Sequence, residues 1–183
     1  FALRHIQDTA LIGKAEDMSV EGPALSRIEG YDISNISGTS AVGAMVVFSG
    51  GMPNKTEYRS FNIRTVHGPD DVRMMREVLM RRFENKQWPL PQAILVDGGL
   101  GQVNMARGVL REFNLAIPVV GIAKGADRKN NRFVGTMPQC ATREILIKIR
   151  DEAHRFSRSR HIRRRAKDFL QYFVCFLLAL CYF

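Results

Sequence analysis

The sequence predicts an α/β fold built on one mixed five-stranded sheet. Two observations predict it. Between residues 27 and 63, three extended segments follow one another with only short turns between them, the way antiparallel neighbours are joined. From residue 68 onward the pattern becomes helix, strand, helix, strand, helix. Helical crossovers of that kind join parallel strands with a right-handed connection.

Residues 1–25 carry weak signals, a short helix and then a loop through Gly22-Pro23. In "RIEGYDIS" (27–34), Ile28, Gly30, Asp32 and Ser34 share one face, and Glu29, Tyr31 and Ile33 share the other. "NISGTS" (35–40) reads as a turn, and "AVGAMVVF" (41–48), a nearly continuous apolar run, as a buried strand. "SGGMPN" (49–54) is a second turn, and the alternation in "EYRSFNI" (57–63) gives a third strand. In "GPDDVRMMREVLMRRF" (68–83), Val72, Met75, Val78, Leu79 and Phe83 recur at helical spacing. Pro69 suits the first helical position, Asp70 and Asp71 the first turn, and Arg81-Arg82 the last. "AILVD" (93–97) is a short buried strand, 98–113 a turn and a second helix, and "IPVVGIA" (117–123) a fifth strand. Residues 143–167 form a long basic helix, with room for a short strand at its start. Pairing the fourth strand with the first gives sheet order 3-2-1-4-5, the ribonuclease H-like arrangement. That order sets Asp32 beside Asp97, at the carboxyl end of the fourth strand. The expected divisions are an amino-terminal segment (1–25), the domain (26–168) and an atypical apolar tail (169–183).

The chain has 183 residues, enough for one domain with a real core. Starting at Phe1, it reads as a fragment of something longer. A net charge of +9 points to a polyanionic partner, nucleic acid or an anionic membrane surface. Cys140, Cys175 and Cys181 have neither disulfide nor zinc spacing and read as reduced thiols of a cytosolic protein. The apolar stretch Phe169–Phe183, about 15 residues, is short of the ~20 that a membrane helix needs. It abuts arginines, so an interfacial anchor is the competing reading, but no stable insertion is expected.

Two nucleotide-binding readings fail. "DEAH" (151–154) spells a helicase motif, but the sequence has no G-x-x-x-x-G-K-[ST] loop to cradle phosphates. The glycines of "VDGGLGQ" (96–102) do not fit G-x-G-x-x-G, and Asp97 directly before them would repel a pyrophosphate. Two carboxylates on neighbouring strands repel each other and are tolerable around a divalent cation. Their hard oxygens favour Mg²⁺ or Mn²⁺, held by Asp32 and Asp97. Taken alone, Asp97 also reads as a strand-end residue opening a turn. Asp70 and Asp71 also read as residues that offset the helix dipole. His154 sits on the flank of the last helix beside the apolar stripe Ile149, Ala153 and Phe156. From there it can orient a water, take its proton or ligate the metal, or it is a surface residue of an Arg-rich, phosphate-binding helix. That helix carries Arg155, Arg158, Arg160, Arg163, Arg164 and Arg165, which with Lys124 are the expected phosphate contacts of a nucleic-acid partner. His5 and His67 carry no signal beyond loop or surface residues.

Together these stretches resemble the carboxy-terminal half of UvrC, the incision subunit of bacterial nucleotide excision repair. "RIEGYDIS", "AVGAMVVFSGGMPNKTEYRSFNI", "GPDDVRMMREVLMRR", "ILVDGGLGQ", "PVVGIAKGADRK" and "IRDEAHRF" occur in family order over about residues 26–166. The resemblance implies a ribonuclease H-like fold and metal-dependent hydrolysis of one phosphodiester on the 5′ side of a lesion. It places catalytic acids at Asp32 and Asp97, a catalytic histidine at His154, and a further acidic residue at Asp71. It implies damaged double-stranded DNA as substrate and UvrB as partner, with UvrA acting upstream. Asn35 stands where the family commonly has His, and no Gly-rich helix-hairpin-helix motif follows the Arg-rich helix. The competing functions are a catalytically silent nucleic-acid-binding module on the same scaffold and a junction-resolving nuclease. "DEAHRF" and "DGGLGQ" favour UvrC over the latter.

Overall fold

A computed structural model of the chain describes residues 26–34, 41–66, 68–124 and 131–160. The segments 1–25 and 169–183 and the residues His5, Asn35 and His67 lie outside them. The strands are β1 (Arg27–Ser34), β2 (Val42–Ser49), β3 (Met52–Pro53), β4 (Arg59–Asn62), β5 (Ala93–Asp97), β6 (Val119–Lys124) and β7 (Asn131–Gly135). The helices are α1 (Asp71–Glu84), α2 (Leu100–Glu112) and α3, which covers residues 143–160. β1 lies at the centre. It pairs antiparallel with β2, from Arg27 opposite Ser49 to Ser34 opposite Val42, and parallel with β5. β5 pairs parallel with β6, and β2 antiparallel with β4. The five expected strands therefore stand in the expected order, and the fold is ribonuclease H-like.

Among the described residues the sheet has seven strands rather than five. β3 is one arm of a hairpin on β2, turned by Gly50 and Gly51 at φ 58° and 78°. Two consecutive residues at positive φ make a tight hairpin turn that glycine adopts without strain. The arm is two residues long, so it shows no alternation to read. β7 extends the other edge, antiparallel to β6. Its sequence, NRFVG, has two adjacent apolar residues and no period. The helix bounds also shift. Asp70 is the N-cap of α1, its carboxylate accepting from Arg73 N at 2.9 Å, so Pro69 precedes the cap. A single turn of 3₁₀ helix, Lys55–Glu57, replaces the start of the expected third strand.

The strand alternation splits the core into two layers. Tyr31, Met45, Val47, Phe61, Ile94 and Val96 pack under α1 and α2. Ile28, Ala44, Val46, Leu95, Val120 and Ile122 pack under α3, against Leu146, Ile149, Ala153 and Phe156. Gly30 sets how closely α3 lies on β1. A Cβ there would sit 2.3 Å from Ile149 Cγ2, so any side chain would lift the helix.

The α1 layer contains a buried ionic cluster. Glu29 and Arg82 are both 0% exposed. Arg82 Nε donates to both Glu29 oxygens at 3.2 and 3.0 Å, and Nη2 donates to Oε1 at 2.8 Å and to Pro89 O at 2.6 Å. Tyr31 donates its hydroxyl to Glu29 Oε2 at 2.6 Å, and Arg27 donates from Nε and Nη2 to Oε1 at 3.1 and 2.9 Å. Burial, with Glu29 beside it, pushes the Tyr31 phenol well above its usual pKa. Arg82 lies in the last turn of α1, as expected, but its side chain points inward as the counterion of Glu29.

Glu77 ties the β4–α1 connection to α1. Its carboxylate accepts from Arg64 N at 2.9 Å, Thr65 N at 2.9 Å and Thr65 Oγ1 at 2.7 Å. Partial burial alone would raise its pKa. The Thr65 hydroxyl and N–H, the Arg64 N–H and Arg81 outweigh this and hold it below the ordinary value. A depressed carboxylate stabilises the fold above its unfolded pKa, and that contribution is lost as pH falls through the folded pKa. Glu77→Gln is therefore expected to cost about 1.5 kcal/mol at pH 7, the lower end for hydrogen bonds to a charged acceptor. In urea melts from pH 7 down to pH 3, the gap between parent and variant should close. A gap that stays constant would contradict this account.

Candidate metal centre

β1 and β5 run parallel with Tyr31 opposite Val96, so the next position along sets Asp32 beside Asp97. Both residues are in phase with the strand positions that face α3, Ile28 and Gly30 on β1 and Ala93 and Leu95 on β5. β5 ends at Asp97, and Gly98-Gly99 turns the chain into α2. Gly99 N donates to Gln102 Oε1 at 3.1 Å and closes the first turn. The carboxyl ends of two central strands thus present two acids on one face, and α3 crosses that face with His154 on its flank.

His154 Nδ1 is 3.8 Å from Asp32 Oδ1. Asp32, Asp97 and His154 each offer one ligand atom, and these atoms all lie within 4.8 Å of one another. Donors on opposite sides of one cation stand about twice the metal–oxygen bond apart, ~4–5 Å for Mg²⁺ to Ca²⁺. The three side chains therefore fit a single divalent ion. Asp32 is 5% exposed and the His154 side chain 56%, so the cluster is closed toward the core and open toward solvent. Burial raises the pKa of Asp32. The Ser157 hydroxyl opposes this, Asp97 raises it further and His154 lowers it. A cation between the two acids would relieve that strain.

Among the described residues this is the only such group of three or more, and Asp71 does not belong to it. Asp71 is the exposed first residue of α1, whose buried side packs into the opposite layer. The other letters of "DEAH" have local partners. Asp151 accepts from Arg150 Nε and Nη2 at 2.9 and 2.6 Å. Glu152 accepts from the Tyr58 hydroxyl at 3.0 Å and from Arg155 Nε and Nη2 at 2.6 Å each. Neither residue is placed for nucleotide chemistry.

The expected DNA contacts fare differently from one another. Arg155 is exposed but engaged by Glu152, and Arg158 is exposed on the outer side of α3. Arg160 lies over the Phe156 ring, 4.8 Å from its centroid. Lys124 ends β6 at the same end of the sheet as Asp97, and its backbone pairs with that of Asn131. The Lys124 side chain and Arg163, Arg164, Arg165 and His161 lie outside the described residues. Arg150, one turn before His154, also donates to Asn131 Oδ1. Among the described residues, no helix is long and apolar enough to cross a membrane.

A central parallel pair ending in two acids, with helices on both faces and a histidine from the covering helix, places this chain in the class of ribonuclease H-like domains. The chain belongs to the UvrC RNAse H endonuclease domain family, whose profile matches residues 16–157. The UvrABC system protein C of Methanococcoides burtonii is 48% identical over 149 residues, covering 76% of this chain and 25% of that protein. Its namesake in Streptococcus thermophilus is 46% identical over 158 residues, covering 80% and 27%. The chain thus spans about a quarter of the length of these curated relatives. Among solved structures it is similar to human ENDOV, at 25% identity with a TM-score of 0.37, covering 57% of this chain and 49% of that one. It is also similar to the Argonaute of A. aeolicus, at 18% identity with a TM-score of 0.43, covering 61% and 17%.

Proposed function

We propose that this chain is a divalent-metal-dependent DNA endonuclease domain that makes the incision on the 5′ side of a lesion in nucleotide excision repair. The observation that carries the reading is the convergence of Asp32, Asp97 and His154 in a chain of this family. Asp32 and Asp97 would hold Mg²⁺ or Mn²⁺, which bound there supplies charge stabilisation to a phosphodiester under attack. His154, close to Asp32 through Nδ1 and exposed to solvent, orients the attacking water and takes its proton. Arg158, one turn further along α3, holds the DNA backbone through a phosphate, and Arg155 joins it by exchanging Glu152 for a phosphate oxygen. Lys124, Arg160, Arg163, Arg164 and Arg165 are the further candidates for contact with DNA phosphates. Asp71, at the start of α1 and outside the cluster, is assigned no role in it. The substrate is damaged double-stranded DNA presented by UvrB after UvrA, in the cytoplasm, and residues 26–168 form the working domain.

The test is nicking of a duplex carrying one defined lesion, with and without UvrA and UvrB, in Mg²⁺ and in EDTA. Nicking that needs both the cation and the loaded complex is the expected result. Binding without nicking under every condition would leave a silent nucleic-acid-binding module. His154→Ala is expected to slow single-turnover nicking about 10²–10⁴-fold, the usual contribution of a general base, with little change in DNA affinity. Arg158→Ala should do the reverse, weakening affinity with little effect on the bound rate. A His154 variant that loses only affinity would make His154 a binding residue.

A further inference from the structure

Ser157 occupies a buried position of α3, four residues after Ala153, and is 0% exposed. Its hydroxyl has no hydrogen-bond partner among the described residues. A serine inside a helix ordinarily turns its hydroxyl back onto a carbonyl of the preceding turn. Ser159, two residues further on, does so, donating to Phe156 O at 2.7 Å. Ser157 does not. A buried hydroxyl without a partner costs the fold free energy, so its presence needs a reason outside packing. The Asp32 carboxylate is its polar neighbour across the layer, beyond the reach of a formed hydrogen bond.

We propose that Ser157 is a positioning residue of the metal centre, its hydroxyl proton fixing the rotation of the Asp32 carboxylate so that one oxygen stays directed at the cation. The inference rests on the metal-centre reading of Asp32, Asp97 and His154 and adds a fourth residue to it. Groups that hold a metal ligand from behind set its orientation, and losing one typically costs 10–100-fold in metal affinity. Ser157 sits three residues after His154 on one helix, so a single element orders both the imidazole and the carboxylate.

The experiment compares the full 183-residue chain with Ser157→Ala and Ser157→Cys. MnCl₂ is titrated into each, with free Mn²⁺ followed by electron paramagnetic resonance, and thermal unfolding is measured without metal. Ser157→Ala should keep or raise the metal-free midpoint, because it removes an unsatisfied buried hydroxyl. It should weaken Mn²⁺ binding about tenfold, the lower end of the usual range. Ser157→Cys, with its weak S–H donor, should fall between. Nicking by Ser157→Ala should recover at raised Mn²⁺, a shift in metal requirement rather than in maximal rate. Unchanged Mn²⁺ affinity in Ser157→Ala overturns the proposal, as does an affinity that falls only in step with metal-free stability. If the unaltered chain binds no Mn²⁺, the metal-centre reading falls and takes this inference with it. If it binds and Ser157→Ala binds equally, this inference alone falls.

Discussion

Asp32→Asn and Asp97→Asn are each expected to abolish incision in Mg²⁺ while leaving the fold intact. Each removes a charged donor from the cluster at nearly constant volume. Losing several kcal/mol of charge stabilisation corresponds to about 10³-fold or more in rate. Stability without metal should move the other way. Burial and Asp97 raise the folded pKa of Asp32. A carboxyl raised on folding loses stability as pH climbs from its unfolded toward its folded pKa, so at neutral pH the ionised group is a burden. Asparagine carries no such burden, and the metal-free midpoint of Asp32→Asn should equal or exceed the parent's. Added Mg²⁺ should raise the parent's midpoint by mass action and leave the variants' unmoved. Undiminished nicking in either variant would remove the cation site from this pair of acids.

The second large effect belongs to the core. Arg82→Met leaves Glu29 buried with Arg27 and the Tyr31 hydroxyl as its remaining partners. Breaking a buried pair by removing one partner typically costs about 3–5 kcal/mol. For a chain of this size, each kcal/mol lowers the midpoint by about 2–4 °C. A drop of roughly 10 °C is therefore expected, with urea denaturation giving the free energy directly. Glu29→Met combined with Arg82→Met should recover much of the loss, because no uncompensated charge then remains. A single variant as stable as the parent would show that Arg27 alone suffices for Glu29.

Much of this was legible in the sequence. Turn lengths and helical crossovers gave the antiparallel and parallel pairings, and setting the fourth strand beside the first completed the order. Asp32 stood out because it interrupts an apolar face, and Asp97 because it ends a buried strand. The rest was hidden for one recurring reason. Periodicity identifies the buried stripe of a helix, but residue type overrode it wherever the buried residue was polar. Arg82 is in the last turn of α1 and also seven residues after Met75, on the buried side, and its charge hid the burial. Ser157 lies four after Ala153 on the buried side of α3, where a small polar residue in an Arg-rich run gives no sign of burial. β3 and β7 were too short or too irregular to show a period at all.

The alternation of β1 has a consequence for how the chain finds its pairing. Glu29 faces the α1 layer and Asp32 the α3 layer, three positions apart on one strand. Sliding β1 by one residue against its neighbours would turn Glu29 away from Arg82 and Asp32 toward the apolar side chains of α1 and α2. Sliding it by two would keep each on its proper side but carry Asp32 about 6.6 Å from its place beside Asp97. The first error strands two charges in hydrocarbon, and the second dismantles the acid pair. One strand thus works as a ruler with two marks, and only one setting satisfies both. Misaligned pairings of the central strand are penalised during folding by the same residues that define the finished site.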